Sequence, residues 1–181
     1  MTALAKWTVD DYHRLIDSGI LSQRRVELLQ GDLIEMAPEG PGHAYTTESG
    51  TSYLRAQLKH RAVVREAHPI TLAQSEPQPD IAVVQPPRDR YRERHPSAAE
   101  IFWLIEVAQS TLAYDLGEKK RVYATAGIPE YWVIDLANRQ IFRFSDPLGE
   151  TYGTELRVSQ GSLRPVAFPE LDLQVGQFFS G

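Results

Sequence analysis

Ile101-Phe102-Trp103-Leu104-Ile105-Glu106-Val107 is an almost wholly apolar run, and Glu106 is its one charged residue. Side chains of a strand alternate between two faces, so a run without alternation predicts a central strand covered on both sides. Downstream, Leu112, Leu116, Lys119, Val122, Tyr123 and Ala126 recur at helical spacing, which predicts a helix over 112–126 closed by Gly127 with Pro129 beyond it. Tyr131–Ile134 and Gln140–Phe144 read as paired strands around the turn Leu136-Ala137-Asn138-Arg139, and weaker β signals cover 152–158 and 162–166.

Upstream of the apolar run, Ala62–Glu66, Ile70–Leu72 and Asp80–Val84 read as short strands, and residues 42–59 as a helix rich in mediocre helix formers. Residues 25–37 form a hairpin punctuated by Gln30-Gly31-Asp32, preceded by a helix capped by Thr8 and ending at Asp17-Ser18-Gly19. This order indicates an α/β (mixed α+β) fold with a mixed central β-sheet flanked by helices. Residues 1–181 are expected to form one domain, with a core over about 7–145 and a β-rich C-terminal tail.

The chain has 181 residues, no cysteine and a formal net charge of −5. Lack of cysteine excludes disulfides, thiol catalysis and cysteine-ligated metals. Residues 1–7 show no basic segment leading into an apolar core, and no window approaches the ~20 apolar residues of a membrane-spanning helix. A soluble, cytoplasmic protein is therefore expected. No Gly-x-Ser-x-Gly elbow and no phosphate-cradling glycine loop occurs, which argues against a serine hydrolase and against a nucleotide cofactor. The acidic balance opposes bulk capture of nucleic acid, yet Arg88-Asp89-Arg90-Tyr91-Arg92-Glu93-Arg94-His95 is locally basic. Arg90 and Arg92 are candidate substrate contacts there, and a solvated loop is the plain alternative.

Charge also occupies positions that patterning assigns to the interior. Asp80 begins the strand Asp80-Ile81-Ala82-Val83-Val84, Glu106 lies in the apolar run, and Lys119 falls within the helical stripe while Lys120 is rotated off it. A buried carboxylate must be paired, protonated or bound to a cation. Two on neighbouring strands repel unless a divalent metal lies between them. A Glu106–Lys119 ion pair without metal is the structural alternative.

Glu76-Pro77-Gln78-Pro79-Asp80-Ile81-Ala82-Val83-Val84, then Glu106-Val107-Ala108-Gln109-Ser110-Thr111 with Asp115, Lys119 and Tyr123, then Gly127-Ile128-Pro129-Glu130-Tyr131-Trp132-Val133-Ile134-Asp135 follow one another in this chain. In that order they resemble the Uma-two family of putative restriction endonucleases, within the PD-(D/E)xK nuclease superfamily. Val26-Glu27-Leu28-Leu29-Gln30-Gly31-Asp32 and His43 match as well. The resemblance implies a restriction-endonuclease-like fold and Mg²⁺-dependent hydrolysis of DNA, with Mn²⁺ as a substitute cation. It implies Asp80, Glu106 and the Val107 carbonyl as metal ligands, Lys119 as the catalytic cation, and Glu27 as an additional acidic member. Ala108 stands at the usual superfamily lysine position, and Lys119 on the following helix takes its place. Gln109 and His43 are candidate substrate contacts. Alternatives from other classes are a catalytically weak binding or regulatory module on the same fold, and a hydrolase of another phosphoester. A double-strand cutter needs two sites, so a homodimer is expected, through a late strand edge or the hydrophobic segment containing Phe168, Leu171, Leu173, Phe178 and Phe179.

Overall fold

The computed structural model describes residues 4–179. Helix α1 (Val9–Asp17) opens on a capping box in which Thr8 and Asp11 satisfy each other's backbone amides. Strands β1 (Val26–Leu29) and β2 (Asp32–Glu35) form a separate antiparallel hairpin. Its turn residues Gln30 and Gly31 both have positive φ, the geometry that a two-residue hairpin demands. Helix α2 (Pro41–Leu58) follows, with proline at its first position.

β3 (Val63–Glu66), β4 (Ile81–Val84), β5 (Ile101–Ala108), β6 (Glu130–Asp135), β7 (Gln140–Leu148) and β8 (Thr151–Val158) make one sheet in that spatial order. Only β5 and β6 run parallel; every other pair in it is antiparallel. A parallel pair needs a crossover, and it is a composite helix: α3 (Leu112–Tyr114), a π-helical turn (Asp115–Lys119) and α4 (Lys120–Thr125). The helix expected over 112–126 is therefore not continuous α-helix. Short β9 (Ser162–Leu163) and β10 (Leu173–Gln174) pair outside the sheet.

Alternation divides the sheet's side chains between two cores. Ala82, Val84, Leu104, Val133 and Tyr131 face α4 through Val122 and Tyr123, together with Leu29 of the hairpin. Ile81, Val83, Trp103, Ile105 and Trp132 face α2 through Leu54 and Leu58, together with Leu163, Phe168, Leu173 and Phe178 of the tail. Covering on both faces is what the unalternating sequence of β5 requires.

Several expectations are corrected. Ile70–Leu72 is not a strand: it contributes one bridge, Thr71 to Ser97, while Ile70 and Leu72 pack into the core. The basic run 88–95 is not merely a solvated loop, because it carries a 3₁₀ turn (Arg88–Tyr91) and buries Tyr91. The β signal over 162–166 shrinks to Ser162–Leu163, as Pro165 cannot donate to a ladder. The hydrophobic tail is not free for a partner. Phe178 is 1% exposed, packed edge-on against Tyr53 and Trp132 of its own chain.

Candidate active site

Register brings the first two carboxylates together. Ile81 of β4 lies opposite Ile105 of β5, so Asp80, just before β4, comes level with Glu106. Both share parity with Ala82, Leu104 and Ala108, hence both project to the face that the composite helix covers. The Val107 amide donates to Asp80 Oδ2 at 2.6 Å, and His43 Nε2, from the first turn of α2, reaches the same oxygen at 3.1 Å.

The helix supplies the cation. Lys119 is 6% exposed, whereas Lys120 lies over the Phe144 ring. Lys119 Nζ donates to Glu106 Oε1 at 2.9 Å and stands 3.6 Å from Glu27 Oε1. Tyr123, one turn on, donates its hydroxyl to Glu106 Oε1 at 2.7 Å. The π turn brackets the other contributor, Asp115, which is buried and accepts from Thr111 Oγ1 at 2.6 Å. π turns widen a helix locally and recur at functional sites. Glu27, on β1, is buried and accepts from the Gln78 amide at 3.1 Å. The hairpin is thereby latched to the segment that leads into Asp80.

Four carboxylates thus gather around one ammonium. Burial pushes Glu106 well above the ordinary carboxylate range; Lys119 pulls it back, and the charges of Asp80, Asp115 and Glu27 push it up further. Burial also raises Asp115. For Lys119, burial works against the charged form, but Glu106, Glu27, Asp115 and Asp80 together hold its proton above the ordinary lysine range. His43 behaves similarly: burial lowers it, and the Asp80 hydrogen bond with the Asp80, Glu39 and Asp115 charges turns the net shift upward. The centre is rich in negative charge and open to one side, lining a cavity of about 370 Å³.

Among the described residues, one oxygen of each motif carboxylate is committed and the other is not. Asp80 Oδ2 takes His43 and the Val107 amide, and Glu106 Oε1 takes Lys119 and Tyr123, leaving Asp80 Oδ1 and Glu106 Oε2 without protein donors. No group of three or more His, Asp or Glu side chains is arranged there as a ready metal cage.

The sequence-read residues divide by location. Asp80, Glu106, Val107, Lys119, Glu27, His43 and Gln109 all line this cavity. Gln109 packs over Gly40 at the start of α2, where a Cβ would come 3.0 Å from its Oε1. Arg90 and Arg92 do not line it: Arg90 is turned onto Gln85 and Glu100, and Arg92 lines a different cavity. Asp115 and Tyr123 were not singled out as site residues, although their spacing of four on either side of Lys119 places all three on one helical face.

Residues 9–176 match the Uma2 family, described as putative restriction endonucleases. The chain belongs to that family. A crystal structure of a putative nuclease belonging to DUF820 from Anabaena variabilis has a TM-score of 0.75 to it at 18% identity. The match covers 96% of this chain and 97% of that one, and shows that the two share a fold. No curated protein matches the sequence. No helix among the described residues is long and apolar enough to cross a membrane.

Proposed function

We propose that this Uma2 protein is a metal-dependent endonuclease that hydrolyses DNA phosphodiester bonds at the Asp80–Glu106–Lys119 centre. The observation that carries the reading is that Glu106 and Glu27 pair with one buried ammonium while Asp80 and Asp115 line the same open cavity. Such an excess of negative charge calls for a cation, and carboxylate and carbonyl oxygens select a hard one, Mg²⁺ or Mn²⁺. Mg²⁺ typically takes one or two carboxylates and keeps waters for its other positions. Asp80 and Glu106, each with one unengaged oxygen, fit that demand without a full protein cage, and the Val107 carbonyl is the third candidate ligand. When bound, the cation supplies Lewis-acid polarisation of phosphate oxygens and lowers the pKa of water.

The chain's own residues supply the rest. Lys119 places a fixed positive charge where the phosphate gains negative charge, which preorganised cations stabilise best in a dry site. Tyr123 holds Glu106 and His43 holds Asp80, fixing each carboxylate's free oxygen in direction. Glu27 stands 3.6 Å from the same ammonium and adds a second negative charge that helps keep it protonated. A two-fold pair of such sites is the arrangement for cutting both strands. With the C-terminal segment buried, the free edge of β8 is the surface left for a homodimer.

A second reading has one observation in its favour: the Lys119–Glu106 contact already satisfies part of the buried charge, as in a nuclease fold kept only for binding. Calorimetric titration with Mg²⁺ and Mn²⁺, run beside plasmid cleavage on wild type, Asp80→Asn and Glu106→Gln, separates the two. The nuclease reading expects cation binding and cleavage in the wild type and loss of both in each variant. A wild type that binds neither cation, or a variant that cuts as fast as wild type, overturns it.

A further inference from the structure

A cavity of about 1700 Å³, larger than the one at the carboxylate centre, forms a groove along β3, one edge of the sheet. Five arginines line it against three carboxylates, an excess of positive charge in a chain whose net charge is −5. These arginines are not equivalent. Arg94 is spent on Glu100, which it grips with both terminal nitrogens at 2.7 Å. Arg88 and Arg92 are exposed, and their side chains make no hydrogen bond or ion pair among the described residues. Arg65 is held by Pro69 and His95, its guanidinium over the Tyr91 ring, with its Nε buried and without a partner.

The groove adjoins the carboxylate centre through the backbone. Its wall includes Arg65–His68, and the Ala67 amide donates to the Asp80 carbonyl at 2.9 Å. Gln78 ties the same two places together: its amide nitrogen bonds Glu27, and its side chain donates to the Ala67 carbonyl at 2.6 Å. Tyr91, the aromatic residue of the arginine run, is not available for stacking on bases. It is buried, covered by Arg65 and Arg94, and its hydroxyl donates to the Gln85 carbonyl. Single-strand binders typically pair a basic track with exposed aromatic platforms, whereas contact with a duplex backbone needs charge alone.

We infer that the groove along β3 is a docking track for the phosphate backbone of duplex DNA, with Arg88 and Arg92 as its free cationic contacts. The inference rests on the nuclease reading for the identity of the polyanion and adds where it lies and how it is held. Contact of this kind is independent of sequence and sensitive to salt, because each neutralised phosphate releases counterions.

The test is fluorescence anisotropy of a labelled duplex, with EDTA present so that binding is read apart from cleavage, over a series of salt concentrations. Arg88→Ala/Arg92→Ala removes two exposed, unpaired charges. Arg139→Ala/Arg157→Ala removes two exposed charges toward the opposite edge of the sheet, one in the turn before β7 and one on β8. The groove variant is expected to bind about ten-fold more weakly and to flatten the slope of log K against log salt by about 2. The opposite-edge variant is expected to match wild type. Equal loss in both variants, no change in the groove variant, or a wild type that does not bind duplex overturns the inference. A protein that binds through the groove but never cuts overturns the nuclease reading alone. One that cuts while the groove variant binds normally overturns the groove alone.

Discussion

Replacing Lys119 by Met keeps the volume of the side chain and deletes the one ammonium of the carboxylate centre. Lys119 Nζ is 2.9 Å from Glu106 Oε1 and 3.6 Å from Glu27 Oε1. At an effective dielectric of about 20 those distances correspond to gross attractions of about 6 and 5 kcal/mol, most of which offsets the desolvation of the ions. Removing one partner of a buried pair leaves the other charge uncompensated, for a net cost of about 3–5 kcal/mol. That is a large share of a typical domain stability of about 5–15 kcal/mol. The sign of the pH dependence follows from Glu106. Its raised folded pKa means that the folded protein holds a proton the unfolded chain releases, so this group's contribution is full below the ordinary 4.5 and is lost as pH rises through the folded value. Lys119 is the neighbour that lowers that value. In acid the carboxyl is protonated in both proteins and the deficit of Lys119→Met is smallest. As pH climbs through the wild-type value the deficit widens by up to about 1.4 kcal/mol per pH unit, since only the wild type has a cation to stabilise the carboxylate. Urea denaturation of both proteins between pH 5 and 8 measures this directly, and adding Glu106→Gln to the variant is expected to recover most of the loss. A deficit under about 1 kcal/mol at pH 8, or one that narrows as pH rises, refutes the placement of the ammonium among these carboxylates.

Tyr123→Phe removes the 2.7 Å hydrogen bond to Glu106 while Lys119 continues to hold the same oxygen. The expected cost is about 1–2 kcal/mol in urea denaturation. Because the oxygen proposed as a metal ligand is then less firmly aimed, Mg²⁺ affinity in calorimetry is expected to fall by about ten-fold. Glu100, gripped by Arg94 and bonded to Ser97, is pushed down to about 2 from its ordinary 4.5. Its stabilisation is present above pH 4.5 and lost as pH falls toward 2. Half of the Arg94 side chain is solvated, so screening reduces the effect, and Glu100→Gln is expected to lose about 1 kcal/mol at neutral pH. Denaturation curves of that variant and wild type should converge near pH 2.

The residues legible in the sequence were those that violated a local pattern. Glu106 stood out because every neighbour on its strand is apolar, and Lys119 because it interrupts a helical stripe. Asp115 carries the same signal four residues before Lys119, but an exposed helix start normally carries acids, which masked it. What pattern could not supply was contact between distant segments: His43 on Asp80, Gln78 on Glu27, and the tail on the sheet. Unpatterned apolar residues such as Phe168 and Phe178 suit a partner's surface or the chain's own equally well. The one local hint lay on the other side of the contact. Gly50 sits in the middle of α2, where a Cβ would come 3.3 Å from Phe178. Charge was likewise legible in amount but not in arrangement. Four carboxylates around one ammonium repel a phosphodiester, so this centre cannot by itself draw DNA onto a protein of net charge −5. A divalent cation can reverse the local sign only at the carboxylates themselves. Holding the flanking backbone requires positive charge beside the centre, and the free arginines lie in the groove whose wall is hydrogen-bonded to Asp80.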